Sequence, residues 1–455
     1  MPTSNPSHTL HRPAPPAETL DPQQELLRAL ELMNAGNLDE AERAYERILA
    51  AVPDHAETLH FKGLAAHQRG RHMLAIELLR QAIALDGGVF GWHSNLGNVL
   101  LLTGQGDAAA DAYEQALSLA PERSDVHNNL GVLLGEQGRF EAAERTLRRA
   151  IELDPDSAEA HVNLARLLLR LTRASEALVC LEPVLRLRPD VPMAHRWMGM
   201  AYRMLGRLGE AAQAYRDWLV LDPENPVARH YLAACAGGAV PERAPDAYVE
   251  LTFDGFAASF DKTLGRLLYR GPQLVAEAMA LRLGEPAQAL DVLDAGCGTG
   301  LCGPLLKPYA RRLVGVDLSQ RMLDKARQRE DYHALEKAEL TAYLDNAQPA
   351  CFDLISSADT LCYFGELRAF FRAAAKALRP AGRLFFTAEA SDDEDGAAFR
   401  LHQHGRYSHR ESYLRETLAE AGLAIEGLER ADLRTEFGKP VVSWVVSCKK
   451  EAPDL

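Results

Sequence analysis

Three absences narrow the possible classes of this 455-residue chain. It has no run of 18 apolar residues, no C-x-x-C pair among its seven cysteines and no excess of basic residues. The first absence argues against a membrane-spanning helix or a membrane partner, and the second against a zinc cage. The formal net charge of −14 argues against broad nucleic-acid binding, which needs a basic face. The odd, scattered cysteines predict reduced thiols, no metal site and a cytoplasmic location.

Length and composition predict several domains. The chain is 47% hydrophobic and 25% charged, as in globular proteins, and is too long for one ordinary core. Its first 20 residues contain five prolines and little to bury. We therefore predict a disordered tail over 1–21, a first domain over 22–236, a Gly/Pro-rich linker over 237–247 and a second domain over 248–455.

A 34-residue period fills the first domain. Small residues recur on it, among them alanines at 41, 75, 109, 143, 177 and 211, together with Pro53, Pro121, Pro155, Pro189 and Pro223. Such spacing predicts six helix–turn–helix units over about 22–225 and a capping helix over 226–236. It resembles the tetratricopeptide repeat. That resemblance implies an all-α superhelix with an extended concave surface.

Two polar columns follow the same period. His93, His127, His161 and His195 form the first column. Residues one whole repeat apart cannot converge on one metal ion, so we expect these histidines to pack within their repeats. Asn95, Asn129 and Asn163 form the second, on the first helix of each unit. This column resembles the asparagine ladder of the O-linked N-acetylglucosamine transferase repeats, which implies a protein or peptide partner in the concave groove; the alternative is an ordinary solvated groove.

The chemical signature of the second domain is the segment 292–300, Val-Leu-Asp-Ala-Gly-Cys-Gly-Thr-Gly. An apolar strand runs into a loop with glycine at every second position, and a second apolar strand ends on Asp317. These features predict adjacent parallel strands with a ligand across their carboxyl ends, where Asp317 can accept from a ribose diol.

A dinucleotide site is the main alternative for this loop. Its G-x-G-x-x-G fingerprint matches only from Gly298 through Gly300 to Gly303, which starts too late after the strand, and Leu301 breaks the match from Gly296. The acid Asp294 would repel phosphates but suits an ammonium or sulfonium group. At these residues the sequence resembles the class I methyltransferases, which use S-adenosylmethionine.

This resemblance implies an α/β Rossmann-like fold over about 250–450 and a role for each matching residue. Asp294, Gly296, Cys297, Gly298 and Gly300 would surround the methionine part of the cofactor, with Cys297 acting through its backbone. Asp317 would bind the ribose, while Leu318, Met322, Glu339 and Leu340 would contact the adenine. Phe260 would belong to a lid formed by an N-terminal helical segment; the alternative is an amphipathic helix that packs on the sheet.

Candidate catalytic residues follow the fourth strand and the fifth. Asp359, Thr360 and Tyr363 occupy the place where related enzymes meet cofactor and substrate. His402, His404, His409 and Tyr407 could supply a base. Alternatively, Ser408 caps the helix that contains Glu411, and the cluster is structural. The acidic run at 391–395 is expected to form a solvated loop; the alternative is that it contacts a basic acceptor.

Periodicity beyond residue 290 predicts alternating strands and helices. We expect strands near 290–295, 312–317, 353–358, 382–389 and 441–448, and helices near 301–310, 320–329, 366–379 and 411–421. The last strand would be the antiparallel seventh of the family sheet. The leading functional hypothesis is a methyltransferase whose repeats recruit a protein or peptide. The alternatives are a small-metabolite methyltransferase whose repeats serve assembly, and a non-catalytic scaffold.

Overall fold

A computed structural model describes residues 21–238, 240–392, 396–436 and 438–451. The predicted tail, except Asp21, lies outside the described residues, as does most of the acidic run. The chain divides into two units, Met1–Pro189 and Asp190–Leu455. None of the described helices is long and apolar enough to cross a membrane.

The described part of the first unit contains five helix pairs. Their helices are α1 (Pro22–Asn34), α2 (Leu38–Ala51), α3 (Ala56–Gln68), α4 (His72–Leu85), α5 (Phe90–Leu102), α6 (Gly106–Leu119), α7 (Ser124–Glu136), α8 (Phe140–Leu153), α9 (Ala158–Arg170) and α10 (Ala174–Leu187). The two helices of each pair pack on each other, and first helices also contact first helices, as in α1–α3, α3–α5 and α7–α9.

Close helix crossing explains the small residues of the 34-residue period. A Cβ on Gly131 of α7 would lie 2.6 Å from Leu147 Cγ of α8, so only glycine lets these two helices approach so closely. The turn between paired helices has a left-handed residue, such as Gly138 with φ 81°. Thr172, which replaces glycine at this node, adopts φ 61°. The repeat pattern therefore follows from backbone geometry.

The histidine column has a structural role within each repeat. Each of three ring Nε2 atoms hydrogen-bonds the carbonyl six residues earlier: His93 to Gly87 at 3.0 Å, His127 to Pro121 at 2.9 Å and His161 to Pro155 at 3.0 Å. Each bond fastens the inter-repeat turn to the helix that follows it.

The second unit begins with the sixth helix pair, α11 (Pro192–Met204) and α12 (Leu208–Leu221), and the capping helix α13 (Pro226–Ala236). Helices α1 to α13 thus extend from Pro22 to Ala236. However, the division into units precedes the sixth pair instead of following the cap. Three more helices, α14 (Asp246–Phe256), α15 (Phe260–Arg266) and α16 (Gly271–Leu283), lead into the sheet.

A seven-stranded sheet with the order β3-β2-β1-β4-β5-β9-β8 forms the centre of the second unit. The elements in chain order are β1 (Leu290–Ala295), α17 (Gly303–Leu306), β2 (Ala310–Asp317), α18 (Gln320–Arg327), β3 (Ala334–Lys337), α19 (Leu340–Asn346), β4 (Phe352–Ser357), α20 (Arg368–Ala377), β5 (Leu378–Glu389), β6 (Phe399–Leu401), β7 (Tyr407–His409), α21 (Glu411–Glu420), β8 (Leu423–Glu436) and β9 (Lys439–Lys450). Strands β1 to β5 pair in parallel, whereas β9 is antiparallel to both β5 and β8.

The sheet places its functional residues at one edge. Asp294 of β1 lies opposite Gly315 of β2 and Ser356 of β4, so the loops after these strands leave the sheet side by side. One core joins the sheet to α19, α20 and α21, and another joins its other face to α16 and α17. This layered arrangement matches the predicted Rossmann-like class, with the ligand edge at the strand switch between β1 and β4.

Some elements of the second unit differ from the prediction. The helix expected over 301–310 is only the four residues of α17, because β2 already begins at Ala310. The long strand β8 was not predicted at all. Strands β6 and β7 pair with each other as a separate hairpin.

Candidate active site

The glycine loop after β1 is held in left-handed backbone conformations. Gly296, Gly298 and Gly300 have φ angles of 82°, 53° and 83°. A Cβ on Gly296 would overlap the side chain of Thr360, whereas a Cβ on Gly298 would meet only Phe260 Cε1, at 4.0 Å. Gly298 therefore leaves an open space beside the loop, bordered by Phe260.

Asp317, at the end of β2, fastens this loop. Its carboxylate accepts from the backbone N–H of Gly298 at 2.9 Å and from that of Ser319 at 2.9 Å. Burial raises the pKa of Asp317, and the backbone donors oppose this effect. A carboxylate has about four lone-pair sites, so Asp317 can still accept from a hydroxyl group of a ligand.

Asp294 is enclosed by the protein. Its Oδ2 accepts from the Tyr332 hydroxyl at 2.6 Å, while its buried Oδ1 has no hydrogen-bond partner among the described residues. Burial raises the pKa of Asp294 to about 7. Sequence reasoning did not identify Tyr332 as the partner of this acid.

A cavity of about 700 Å³ opens beside the loop. Eight residues from the predicted cofactor set line it: Phe260, Gly296, Cys297, Gly298, Asp317, Leu318, Glu339 and Leu340. Three others from that set, Asp294, Gly300 and Met322, are not among the described lining residues. Asp294 is fully buried, so its carboxylate lies behind the cavity wall and not on it.

Two lining residues have side-chain roles that constrain what they can do for a ligand. Glu339 caps α19 by accepting from the backbone N–H groups of Thr341 at 3.0 Å and Ala342 at 2.8 Å. One lone pair on each oxygen therefore serves the helix terminus, and Oε1 also lies 3.3 Å from Arg243 Nη1. Burial raises the pKa of the Cys297 thiol well above its usual range, so the thiol stays protonated and is not a nucleophile.

The segment α14–α15 lies against the glycine loop. Phe260 packs edge-to-face on Phe253 at 6.0 Å, and Asp261 accepts from the Thr299 hydroxyl at 2.5 Å. Asp254 accepts from the Ser319 hydroxyl at 2.5 Å. Within the eleven residues of α14 only one side chain is buried. These contacts favour a lid over a helix packed on the sheet.

Asp359 and Tyr363, two of the predicted catalytic residues, also line the cavity. Asp359 has a left-handed backbone with φ 54°, which is strained for a residue with a side chain. Arg434 Nη1 donates to both of its carboxylate oxygens at 2.7 Å. Tyr363 packs edge-to-face on Phe253 of the lid, with ring centroids 5.4 Å apart. Burial raises the pKa of Tyr363, so its hydroxyl stays protonated.

Arg434 belongs to a buried acid–guanidinium cluster formed by Asp359, Glu389, Arg406, Arg434 and Glu436. Arg434 Nε donates to Glu436 at 2.7 Å, its Nη2 bonds Glu389, and Arg406 donates to Glu389 and Glu436 at 2.7 Å each. Although burial opposes ionisation, the two guanidiniums lower the pKa of Glu436 to about 2. The cluster thus places three carboxyl groups and two guanidinium groups beside the cavity.

Tyr407 and His409 are not at the cavity, which corrects the expectation of a catalytic role for them. The Tyr407 hydroxyl donates to the carbonyl of Pro241 at 3.0 Å, and His409 Nε2 bonds the carbonyl of Gly365 at 3.0 Å. Both side chains are fully buried, and burial lowers the pKa of His409 to about 4. They stabilise the β6–β7 hairpin instead.

The other histidines of this segment divide between structure and site. His402 Nε2 bonds the Ser408 hydroxyl at 2.6 Å, and α21 begins after Arg410 with no side-chain cap, so Ser408 does not cap it. His404 lines the cavity, and burial lowers its pKa to about 4. Its ring is therefore neutral at pH 7 and only a weak base.

The asparagine column joins neighbouring first helices. Asn95 Nδ2 bonds His60 Nε2 at 3.0 Å, Asn129 Nδ2 donates to Asn98 Oδ1 at 3.2 Å, and Asn163 Nδ2 donates to Asn128 Oδ1 at 2.9 Å. All three asparagines are half-buried. Their amide nitrogens thus bind within the array, while each side-chain carbonyl can still accept from a ligand.

Comparison with known proteins agrees with this architecture. A family model for a methyltransferase domain matches residues 293–386, and models for the tetratricopeptide repeat match residues 26–89, 89–156, 134–200 and 192–235. The chain therefore combines tetratricopeptide repeats with a methyltransferase domain of Rossmann-like fold, as the sequence predicted.

Individual relatives resemble one part of the chain each. The ubiquinone biosynthesis O-methyltransferase of Idiomarina loihiensis is 36% identical over 103 residues, which is 21% of this chain and 41% of that protein. Methyltransferase-like protein 27 of Homo sapiens is 38% identical over 101 residues, 20% of this chain and 41% of that protein. Among solved structures, the type IV pilus biogenesis factor PilW is 18% identical with a TM-score of 0.43, covering 46% of this chain and 98% of that one. The chain thus spans less than half the length of these curated relatives.

Proposed function

We propose that the protein is an S-adenosylmethionine-dependent methyltransferase whose repeats recruit a protein or peptide, either as substrate or as a tether. The open side of Gly298 beside Asp317 carries this proposal. A side chain at 298 would project toward the cavity, and Asp317 offers hydroxyl acceptors next to it. The names of the relatives, which include several O-methyltransferases, support the same reaction class.

The residues around the loop fit this cofactor. Gly298 leaves room for its methionine part, and Gly296 would contact that part through its backbone. Asp317 would bind the ribose hydroxyls, and Leu318 and Leu340 offer apolar contacts for the adenine. Glu339 fits less well, because it caps α19 and also pairs with Arg243. We assign Asp294 an indirect role, since it lies behind the wall and acts through the loop. The bound cofactor would supply an electrophilic methyl group with a good leaving group.

Positioning and exclusion of water can supply most of the rate acceleration for such a transfer. The lid residues Phe253 and Phe260 cover the loop with apolar surface. Tyr363 keeps its proton and can donate a hydrogen bond to the acceptor. Asp359 is bound by Arg434 and is therefore a positioning residue unless the acceptor displaces that bond.

Isothermal titration with S-adenosylmethionine tests the cofactor site. Asp317→Ala should weaken binding by roughly a hundredfold, about 3 kcal/mol, because two hydrogen bonds to a charged acceptor are lost. Asp317→Asn keeps an oxygen for the backbone donors and separates loss of loop structure from loss of ligand contacts. Asp324→Ala, an exposed acid on α18, is the matched control. Unchanged affinity in Asp317→Ala would contradict the assignment.

A small-metabolite acceptor is the second candidate, and the cavity volume of about 700 Å³ favours it, since that space holds a cofactor and one modest group. Transfer of a labelled methyl group in dialysed and undialysed cell extract separates the two candidates. Label in protein supports recruitment by the repeats, and label only in small molecules supports the metabolite acceptor. Changing Asn95, Asn129 and Asn163 together to Ala should reduce protein labelling. Unchanged labelling would show that the asparagine column does not recruit the substrate.

A further inference from the structure

The capping helix α13 packs against the methyltransferase fold and not against solvent. Its Val227 and Tyr231 contact a core formed with Tyr248, Leu401 and Tyr407. Terminal helices of repeat arrays usually present a polar outer face to water. Here the outer face is apolar and aromatic, and it is covered by α14 and by the β6–β7 hairpin.

His230 of α13 makes the most specific of these contacts. Its Nε2 hydrogen-bonds the carbonyl of Gly405 at 2.8 Å, and its ring stacks on Tyr248 with centroids 4.0 Å apart. The side chain is 1% exposed, and burial lowers its pKa. A carbonyl oxygen can only accept a hydrogen bond. The neutral ring therefore carries its proton on Nε2, and this N–H donates a hydrogen bond to the Gly405 carbonyl.

The turn at 402–406 is shaped by this approach. Gly405 has φ 87°, and a Cβ there would lie 2.9 Å from the Tyr248 hydroxyl and 3.0 Å from Tyr231 Cε1. Within the turn, Gly405 N–H donates to the His402 carbonyl at 2.8 Å, and His402 N–H donates to the Arg406 carbonyl at 2.9 Å. The turn is therefore fixed both by its own hydrogen bonds and by the repeat cap.

This turn carries two groups of the cavity wall, His404 and Arg406. The last repeat and its cap also line the cavity directly, through Arg196, Trp218 and Tyr231. The residues that fit the cofactor come from the ends of β1 to β3, from the start of α19 and from the lid. The turn and the repeat thus line the cavity with residues that are not among those that fit the cofactor.

We infer that the sixth repeat and its cap form part of the acceptor site, with His230 as a positioning residue that holds Arg406 and His404 at the cavity. This inference rests on the proposed methyltransferase function. It assigns the end of the repeat array a direct part in acceptor recognition, in addition to recruitment.

The test compares variants of the full chain. His230→Phe keeps the stacked ring but removes the donor, and His230→Ala replaces it if that variant does not fold. His230→Gln restores an N–H donor near the same position. His93→Phe is the matched control, because His93 also bonds a glycine carbonyl through Nε2, at 3.0 Å, but belongs to the second repeat turn of the first unit.

Two probes are used, S-adenosylmethionine alone in titration and labelled S-adenosylmethionine with dialysed cell extract in transfer assays. His230→Phe should bind the cofactor within about twofold of the unchanged chain, while the half-saturating extract concentration rises by about fivefold or more. His230→Gln should return it to within about twofold, and His93→Phe should leave it unchanged. Equal transfer by His230→Phe and the unchanged chain would overturn the inference, as would parallel loss of cofactor binding.

Hydrogen exchange separates failure of this inference from failure of the proposed function. If the unchanged chain does not bind S-adenosylmethionine, the proposed function fails. In either case the amides of 399–410 should exchange faster in His230→Phe than in His93→Phe, because the Gly405 contact is lost. Identical exchange would show that His230 does not position the turn.

Discussion

Removing the Arg434 guanidinium should destabilise the second unit strongly. Arg434 is 4% exposed and hydrogen-bonds the carboxylates of Asp359, Glu389 and Glu436. In Arg434→Met only Arg406 remains to compensate Glu389 and Glu436. Asp359 keeps no guanidinium among its described partners.

The expected loss follows from the uncompensated charge. Breaking a buried ion pair by removing one partner costs about 3–5 kcal/mol, because a charge is left in a poorly solvated place. We expect a value in this range at about pH 7.5. Consider an acid that stays protonated in the folded variant but ionises on unfolding. It lowers the free energy of unfolding by about 1.4 kcal/mol for each pH unit above its unfolded pKa of about 4. The destabilisation should therefore shrink by roughly 2–3 kcal/mol on lowering the pH to about 5.5.

Urea unfolding followed by tryptophan fluorescence measures this loss. Trp92→Phe as the background removes the tryptophan of the first unit, so that the signal comes from Trp197, Trp218 and Trp444 of the second. Arg430→Met is the control on the same strand. Its exposed pair with Asp392 at 2.7 Å should contribute little to stability, because water screens it.

The outcome that would refute this reasoning is equal stability of the Arg434→Met and Arg430→Met variants. A destabilisation that does not shrink on acidification would also refute it, because the cost would then arise from lost packing and not from charge.

Two further predictions concern other buried groups. With a folded pKa of about 4 against about 6.5 unfolded, neutral His409 should make the chain lose about 2 kcal/mol between pH 8 and pH 5 as the unfolded state takes up its proton. Chemical unfolding of His409→Gln should lack this loss; an unchanged pH slope would refute it. Gly97→Ala should destabilise the repeats by about 1–3 kcal/mol, since its Cβ would lie 2.7 Å from the buried Tyr113 ring. In thermal unfolding, Gly91→Ala, which meets nothing within 4 Å, should be neutral or stabilising, and equal effects would contradict the packing argument.

The repeat helices and the central strands could be predicted because local sequence reports their packing. Gly131 recurs on the period because α7 and α8 cross at that point. Leu293 and Val314 lie in apolar runs because both faces of β1 and β2 are covered. In both cases the pattern of residues along the chain directly reflects which side chains are buried in the fold.

Strand β8 was missed because tertiary pairing, and not the propensity of its residues, determines it. Its sequence contains alternating charges from Arg430 to Glu436 and residues that favour helices, and it forms a strand by pairing with β9 along its whole length. Missing this strand meant missing Arg434. The period-2 spacing of Arg430, Asp432, Arg434 and Glu436 was the available signal.

Sequence motifs identified those residues of the candidate site that a local backbone conformation brings together. They did not identify the contacts between segments that are distant in sequence. Asp317 and Gly298 belong to neighbouring strand ends, which topology brings together. In the sequence, Tyr407 and His409 were equally plausible as catalytic residues. Their burial depends on Pro241 and Gly365, and nothing local to 407–409 encodes those contacts.

The division of the chain after Pro189 determines which repeats can change without altering the cavity. Every described repeat residue that lines the cavity belongs to the segment after Pro189. Substitutions, or gain and loss of whole repeats, within 22–189 therefore change no wall of the site. Chimeras joined at 189/190 should therefore keep these cavity residues, whereas a junction at 236/237 would replace them.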